Sequence, residues 1–179
     1  MKEPKQISAS FYTTSLGMGA VAASSIGICR VWLPGDDLSE PEAACLPQDE
    51  RSSRAAEQLT CYFQGTALPF ELQVDISVLS VFYQQVLLQT MQIPYGSVTS
   101  YGALAVQAER PRASRAVGGA LRSNPVPILI PCHRVVAASG ALTGFSGPGG
   151  IHMKKILLTL EGVDMNGVKS ALTTTGYAQ

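Results

Sequence analysis

The feature that most restricts the fold is a group of prolines around a short apolar run. They fall within seven residues of one another and are Pro125, Pro127 and Pro131. A proline fixes φ and has no backbone N–H to donate, so the group excludes a helix across residues 124–136. The apolar residues 128–130 between the prolines indicate a buried, extended segment. The sequence therefore predicts that this segment carries Cys132 and His133, side by side, at its closing turn.

Composition identifies a globular chain of one or two small domains. Its 179 residues are 46% hydrophobic and 15% charged, which is enough apolar mass to bury a core. The longest stretch without charge, residues 6–29, is too rich in Ser, Thr and Gly for a membrane span or a signal peptide. No C-x-x-C pair occurs among the cysteines, which are Cys29, Cys45, Cys61 and Cys132. We therefore expect a cytoplasmic monomer with no membrane partner, on the nucleoid or, in a eukaryote, in the nucleus.

Charge is distributed unevenly although the net charge is zero. Residues 1–91 hold five basic and ten acidic side chains, whereas residues 92–179 hold eight basic and three acidic ones. Such segregation indicates that the second half faces a polyanion such as nucleic acid. Chance drift in a chain of this size explains the same numbers equally well.

Periodicity predicts an α+β fold in two parts. In residues 1–76, strand-like patterns within 7–15 and 19–33 precede a loop at 34–48 and a helix at 49–64, which together predict a small sheet-plus-helix domain. In residues 77–179 the patterns predict a mostly helical domain whose helices cover 77–91, 101–108, 111–121 and 152–160. The second and third of these flank a two-residue polar turn, as in a helix-turn-helix.

The composition of the third helix of the second half indicates that something packs closely against it. It carries arginines on a body of alanines and glycines, and the arginines are Arg112, Arg115 and Arg122. Two glycines inside a helix cost about 1 kcal/mol each relative to alanine. Close approach to a nucleic-acid backbone would explain that cost, and so would tight packing on a neighbouring helix.

Cys132 is the one cysteine with a neighbouring histidine, in a chain that has two histidines. A thiolate is a strong nucleophile, and an imidazole is the usual base that generates it. Adjacent residues of an extended segment point apart, so a bridging water or a turn must connect Cys132 to His133. Glu161 is the natural carboxylate to orient the imidazole. The alternative is an inert buried cysteine, and no metal is expected because the histidines and cysteines lack metal-ligand spacing.

Several motifs, in order over residues 78–163, resemble the O6-alkylguanine-DNA alkyltransferase family. They are Ile-Pro-Tyr-Gly at 93–96, Ser-Tyr-Gly at 100–102, Arg-Ala-Val-Gly-Gly-Ala-Leu-Arg at 115–122, Asn-Pro-Val-Pro at 124–127, Ile-Pro-Cys-His-Arg-Val at 130–135, Thr-Gly-Phe-Ser-Gly at 143–147 and Leu-Leu-Thr-Leu-Glu-Gly at 157–162. The first half matches only in general design, as an N-terminal α/β domain of the ribonuclease-H-like kind over residues 1–76.

The resemblance implies a suicide DNA repair protein. Such a protein flips O6-alkylguanine, and by extension O4-alkylthymine, out of the duplex and transfers the alkyl group irreversibly to Cys132. His133 would act as a water-mediated base, Glu161 would orient it, and Asn124 would brace the turn between the DNA-binding helix and the site. No metal or organic cofactor is implied.

The remaining site residues carried over contact the base or the DNA. Tyr101 would donate to guanine N3, the carbonyls of Cys132 and Val135 would accept from the guanine amino group, and Ser146 would approach O6. Arg115 would fill the gap left by the flipped nucleotide in the minor groove of double-stranded DNA. The helix-turn-helix would contact DNA through Arg112, Ala113, Arg115, Gly118 and Arg122.

The chain departs from the family pattern at three places. Phe145 stands where many relatives have tyrosine, and the loop at 147–150 is about two residues longer than in some relatives. No histidine precedes His133, so the zinc site of some relatives is expected to be absent. Two other functions compete with repair: a module that only binds alkylated DNA, whose relatives lack the acceptor cysteine, and a thiol hydrolase that turns over repeatedly and leaves the arginine-bearing helix without a role.

Overall fold

The computed structural model describes residues 7–38, 46–66 and 69–164, together with Val168 and Leu172. The chain divides into two units, Met1–Val78 and Leu79–Gln179, whereas the sequence-based boundary fell after residue 76. Part of the predicted loop, residues 39–45, lies outside the described residues. No helix in the described part of the chain is long and apolar enough to cross a bilayer.

The first unit is a three-stranded antiparallel sheet with one helix against it. The strands are β1 (Ser8–Thr14), β2 (Gly17–Ala23) and β3 (Ile28–Trp32), and they lie in the order β1-β2-β3. The predicted second strand region is divided in two because residues 25–27 bend and Ser24 N donates to Gly27 O at 2.8 Å. The helix α1 (Glu50–Phe63) packs on β1 and β2. The predicted small sheet with a helix is confirmed, and its ribonuclease-H-like relationship stays a prediction.

The second unit is mostly helical, as predicted. Its elements are α2 (Val81–Thr90), β4 (Thr99–Ser100), α3 (Tyr101–Gln107), α4 (Ser114–Arg122), a 3-10 helix (Cys132–Arg134), β5 (Val135–Val136) and α5 (Ile151–Leu160). The helix α4 packs against both α2 and α3, and the short strands β4 and β5 form a parallel pair. The α+β fold class inferred from the sequence is confirmed.

Two helices begin later than predicted. In each case a local hydrogen bond fixes the residue at which the helix begins. The helix expected from residue 111 begins only at Ser114, since Ala113 N bonds Arg110 O at 2.8 Å and closes a turn first. Arg112 therefore lies before α4 and not on it. The helix expected from residue 77 begins after Ser80, whose hydroxyl accepts from Tyr83 N and caps α2.

The proline-rich segment is tighter than the predicted extended run. Ile130 N donates to Val126 O at 3.0 Å, and Asn124 Nδ2 donates to Ile130 O at 2.9 Å, so the chain turns back on itself. Ile128 takes φ 74° in this turn, a conformation that strains a β-branched residue by about 1–3 kcal/mol. The 3-10 helix follows directly. The backbone therefore turns at Cys132 and His133, and how the two side chains are connected stays a prediction.

The N-terminus of α1 allows a test of the first unit. Asp49 accepts from Ser52 N at 2.7 Å, and Ser52 Oγ accepts from Asp49 N at 3.2 Å, forming a capping box. We expect Asp49→Ala to lower the free energy of unfolding by about 1 kcal/mol, because one helix N–H loses its acceptor. Urea unfolding followed by circular dichroism measures the change. Asp49→Asn keeps an acceptor at the cap and should stay close to wild type, so an equal loss in both variants would contradict the capping role.

Candidate active site

A cavity of about 750 Å³ opens in the second unit, within the range of about 300–1,000 Å³ usual for small-molecule sites. Four parts of the chain line it: Tyr101 on α3, one side of α4, Cys132 and the loop 143–146. The α4 residues among the lining are Ser114, Arg115, Gly118, Gly119, Leu121 and Arg122. The second helix of the helix-turn-helix thus lines the same pocket as a cysteine.

Cys132 is a buried thiol that lines this pocket, with 8% of the residue exposed. Burial raises its pKa, because a thiolate is poorly solvated there. A hydrogen bond from Asn124, the charge of Lys154 and nearby backbone N–H groups oppose burial without overcoming it. Cys132 is therefore a neutral thiol at neutral pH in the free protein, and its attack on a substrate requires a base.

His133 and Glu161 form a buried pair next to that thiol in the chain. The distance from His133 Nε2 to Glu161 Oε1 is 2.8 Å, and both side chains are completely buried. Because a carboxylate only accepts, Nε2 carries the hydrogen and Nδ1 is the acceptor nitrogen of the neutral ring. Burial lowers the pKa of His133, with the charges of Arg134 and Lys154 adding to the effect and Glu161 opposing it. The imidazole is therefore neutral at pH 7 and able to take a proton.

Arg134 is a member of this cluster that the sequence did not single out. Its Nε donates to Glu161 Oε2 at 2.8 Å, and its Nη2 donates to Oε1 at 3.0 Å. Burial alone would raise the pKa of Glu161, but the hydrogen bonds and charges of His133 and Arg134 outweigh it and bring the pKa to about 2. Glu161 is therefore a carboxylate at neutral pH.

Tyr101 closes one side of the pocket through its hydroxyl. Tyr101 Oη donates to Thr143 O at 3.0 Å, with Gly144 O at 3.3 Å. Gly144 has φ 59°, and a Cβ at this position would lie 2.7 Å from Tyr101 Oη. Glycine is thus required for the loop to approach the tyrosine this closely. Burial raises the pKa of Tyr101, so its hydroxyl remains a donor at neutral pH.

Lys154 is the second functional candidate that sequence reasoning missed. It is fully buried on α5, and its Nζ donates to Val135 O at 2.5 Å and Thr143 O at 2.7 Å. Burial lowers its pKa to about 8, while Cys132 raises it. Its burial could have been predicted from the sequence, because Lys154 lies one helical turn before Leu157 and Leu158, on the apolar face of α5.

The residues predicted for the site are only partly brought together. Those that line one cavity are Tyr101, Arg115, Gly118, Arg122, Cys132 and Ser146. His133 and Glu161 lie outside the lining in the protein interior. Asn124 braces the turn before Cys132 through Ile130 O and Val126 N, at 2.9 and 3.1 Å.

Three predicted residues differ from expectation: two do not line the cavity, and one already has another hydrogen-bond partner. Arg112 and Ala113 precede α4 and do not contribute to the lining. The Val135 carbonyl, expected to accept from a base, already accepts from Lys154. Within the described residues, His, Cys, Asp and Glu side chains form no cluster of three or more that could hold a metal ion.

Comparison with known proteins identifies the family. Residues 81–163 match the family model described as 6-O-methylguanine DNA methyltransferase, DNA binding domain. A methylated-DNA--protein-cysteine methyltransferase of Homo sapiens is 40% identical over 153 residues, which is 82% of this chain and 68% of that protein. The chain belongs to this methyltransferase family. The resemblance seen in the sequence motifs is confirmed.

Two mycobacterial comparisons agree with this assignment. A methylated-DNA--protein-cysteine methyltransferase of Mycobacterium tuberculosis is 44% identical over 115 residues, 64% of this chain and 68% of that protein. A solved structure, Mycobacterium tuberculosis OGT in complex with DNA, superposes with a TM-score of 0.72 at 35% identity and covers 86% of this chain and 91% of that one. The family likeness therefore extends over both units and not only over the matched domain.

Two adjacent glycines of α4 provide a test of the cavity wall. A Cβ at Gly118 would meet nothing within 4 Å, whereas a Cβ at Gly119 would lie 3.0 Å from Tyr83 Oη on α2. We expect Gly118→Ala to stabilise the free protein by about 1 kcal/mol through helix propensity. Gly119→Ala should gain less or lose stability, because Tyr83 must move. Thermal unfolding of both variants measures the difference, and an equal gain in both would refute the packing of α2 on Gly119.

Proposed function

We propose that this protein repairs alkylated DNA by transferring an alkyl group from guanine O6 to Cys132, once per molecule. The observation that carries the proposal is that Cys132 and the second helix of a helix-turn-helix line the same cavity. A pocket of this kind can receive a base turned out of a duplex, whereas a stacked base is out of reach of any side chain. The names of the relatives support the same chemistry.

The transfer is a displacement at the alkyl carbon. A bond forms from Cys132 Sγ to that carbon while the bond from carbon to O6 breaks, and the electron pair of the broken bond passes to the guanine. The thiol proton goes to His133, through a water molecule, and the resulting imidazolium is stabilised by Glu161. Since the thioether is a poor leaving group, the product form of Cys132 is permanent and the reaction stops after one turnover.

The resting ionisation of the pair is compatible with this role. The pKa of Cys132 is raised by burial and that of His133 is lowered, so both groups are neutral before substrate arrives. The proton moves only when an electrophilic carbon is presented to the sulfur. A buried neutral thiol is also protected from reaction with small oxidants, because the thiolate is the reactive species.

DNA contact is assigned to α4 and its flanks. Arg115 and Arg122 are exposed at the cavity, and Gly118 leaves the surface between them flat. Small residues allow a helix to approach the minor groove closely, and Arg115 is suited to enter the base stack in place of the flipped nucleotide. Arg112 and Ala113, which precede α4, would contact the phosphate backbone.

Recognition of the base requires Tyr101 to change partner. In the free protein its hydroxyl donates to the carbonyls of Thr143 and Gly144. To donate to guanine N3 it must leave them, and Lys154 then remains as a donor to Thr143 O. The Val135 carbonyl keeps one lone pair for the guanine amino group beside its bond to Lys154. Ser146, at present bonded to Arg122 O at 3.3 Å, would turn towards O6.

The first test of the function is the mass of the protein itself. After incubation with duplex DNA containing O6-methylguanine, we expect the intact mass to increase by one methyl group per molecule and peptide mapping to place it on Cys132. Cys132→Ser should gain no methyl and still bind DNA. Cys61→Ser, which removes a half-buried cysteine from the first unit, should behave as wild type. Repeated turnover would favour a hydrolase, and binding without a mass gain would favour a recognition module.

The second test concerns base flipping by Arg115. Extruding a base costs a few kcal/mol, part of which Arg115 recovers by filling the gap, so Arg115→Ala should slow methyl transfer from duplex DNA by about tenfold to a hundredfold. Transfer from free O6-methylguanine base should change little. Arg110→Ala removes an exposed arginine of the same motif that does not line the cavity, so it should slow transfer from duplex DNA only slightly and leave transfer from the free base unchanged. Equal losses with duplex and free base in Arg115→Ala would contradict the flipping role.

A further inference from the structure

Glu161 receives more hydrogen bonds than its pairing with His133 requires. Oε1 accepts from His133 Nε2 at 2.8 Å and from Arg134 Nη2 at 3.0 Å. Oε2 accepts from Arg134 Nε at 2.8 Å and from Gly96 N at 3.2 Å. The carboxylate is completely buried. The carboxylate that accepts from His133 is therefore already paired with a cation. Arg134 binds both of its oxygens through two nitrogens, and His133 shares one of those oxygens with Arg134.

Arg134 is itself held in place from several sides. Its Nη1 donates to Ile93 O at 2.6 Å. Its guanidinium lies 5.7 Å from the centre of the Tyr95 ring, and Tyr95 Oη donates to Leu160 O at 3.2 Å, next to Glu161 in the chain. With 7% of the residue exposed, the guanidinium cannot rotate without breaking these contacts. The Ile-Pro-Tyr-Gly turn at 93–96 thus supports both Arg134 and Glu161.

We propose that Arg134, supported by the turn at 93–96, is a positioning residue that fixes the carboxylate plane of Glu161 and partly neutralises it before it meets His133. The inference rests on the proposed function for its effect on methyl transfer. Arg134 is not one of the residues that line the pocket. It acts through Glu161, and Glu161 acts through His133.

Burial lowers the pKa of His133 most, and the charge of Arg134 adds to that effect. The groups that face His133 are Glu161, which raises its pKa, and Arg134 and Lys154, which lower it, beside the neutral thiol of Cys132. A carboxylate without this partner would favour the imidazolium more strongly and leave less neutral imidazole to act as a base for the thiol. With Arg134 present, the ring stays neutral at rest and its Nε2 hydrogen stays directed at Oε1.

The charge effect can be measured without DNA. The chain has two histidines, so the C2 proton resonances of His133 and the exposed His152 can be followed separately by NMR. In Arg134→Gln we expect the midpoint of the His133 titration to rise by about one pH unit, a tenfold change in its protonation equilibrium. An unchanged His133 midpoint in folded Arg134→Gln would overturn the proposal.

The geometric effect requires a variant that keeps the charge. Arg134→Lys retains a cation but cannot bind both carboxylate oxygens and Ile93 O at once. We expect His133 to titrate as in wild type while methyl transfer from duplex DNA slows about tenfold, a loss confined to the rate and absent from DNA affinity. A wild-type transfer rate in Arg134→Lys would overturn the positioning role. If Arg134→Gln does not fold, Arg134→Lys decides the question alone by this rate.

A matched control and the order of the measurements separate this proposal from the function itself. Lys155→Gln removes an exposed cation from α5 and should change neither the His133 titration nor the transfer rate. If wild type gains no methyl from DNA, the proposed function fails, and the NMR titrations still decide how Arg134 acts on His133. If wild type gains methyl and the Arg134 variants match it in both readouts, only the role of Arg134 fails.

Discussion

The second unit depends on neutralising one buried negative charge. Glu161 lies in the interior with no exposed surface, where an unpaired carboxylate would be strongly unfavourable. The donors that make its burial tolerable come from the turn at 93–96 and from the 3-10 helix Cys132–Arg134. Hydrogen bonds to this one carboxylate therefore hold together three parts of the chain that are far apart in the sequence. The position of His133, and with it the surroundings of the thiol, follows from that requirement.

A second buried charge of opposite sign organises the other side of the pocket. Lys154 binds the carbonyls of Val135 and Thr143, and Tyr101 shares the second of these. The charge of Lys154 acts on both the Cys132 thiol and the His133 ring. The free protein thus has a neutral thiol and a neutral imidazole, surrounded by the buried charges of Glu161, Arg134 and Lys154, each of which has hydrogen-bond partners. A neutral thiol reacts slowly without a base, which is suited to the proposed role, in which Cys132 reacts once per molecule.

Much of the local structure was predictable because its causes are local. Proline geometry excludes helix before Cys132, and apolar periodicity placed α1, α3 and α5 within about two residues of their ends. The predicted start of α4 was wrong because Pro111 fits a first helical turn equally well, and the bond from Ala113 N to Arg110 O decided otherwise. The tight turn at Ile128 was not predictable, since a β-branched residue disfavours positive φ and is held there only by its surroundings.

The amino-acid order alone predicted the fold class, and it singled out Cys132, His133 and Glu161 as the residues of the proposed transfer, because specific motifs and residue types point to those properties. The tertiary structure alone decided that Arg134 reaches Ile93 and Glu161, that Lys154 points inward to two carbonyls, and that the thiol is neutral at rest. These features depend on burial and on contacts between residues far apart in the chain. Neither burial nor long-range proximity is encoded at any single position, so both emerge only when the segments pack.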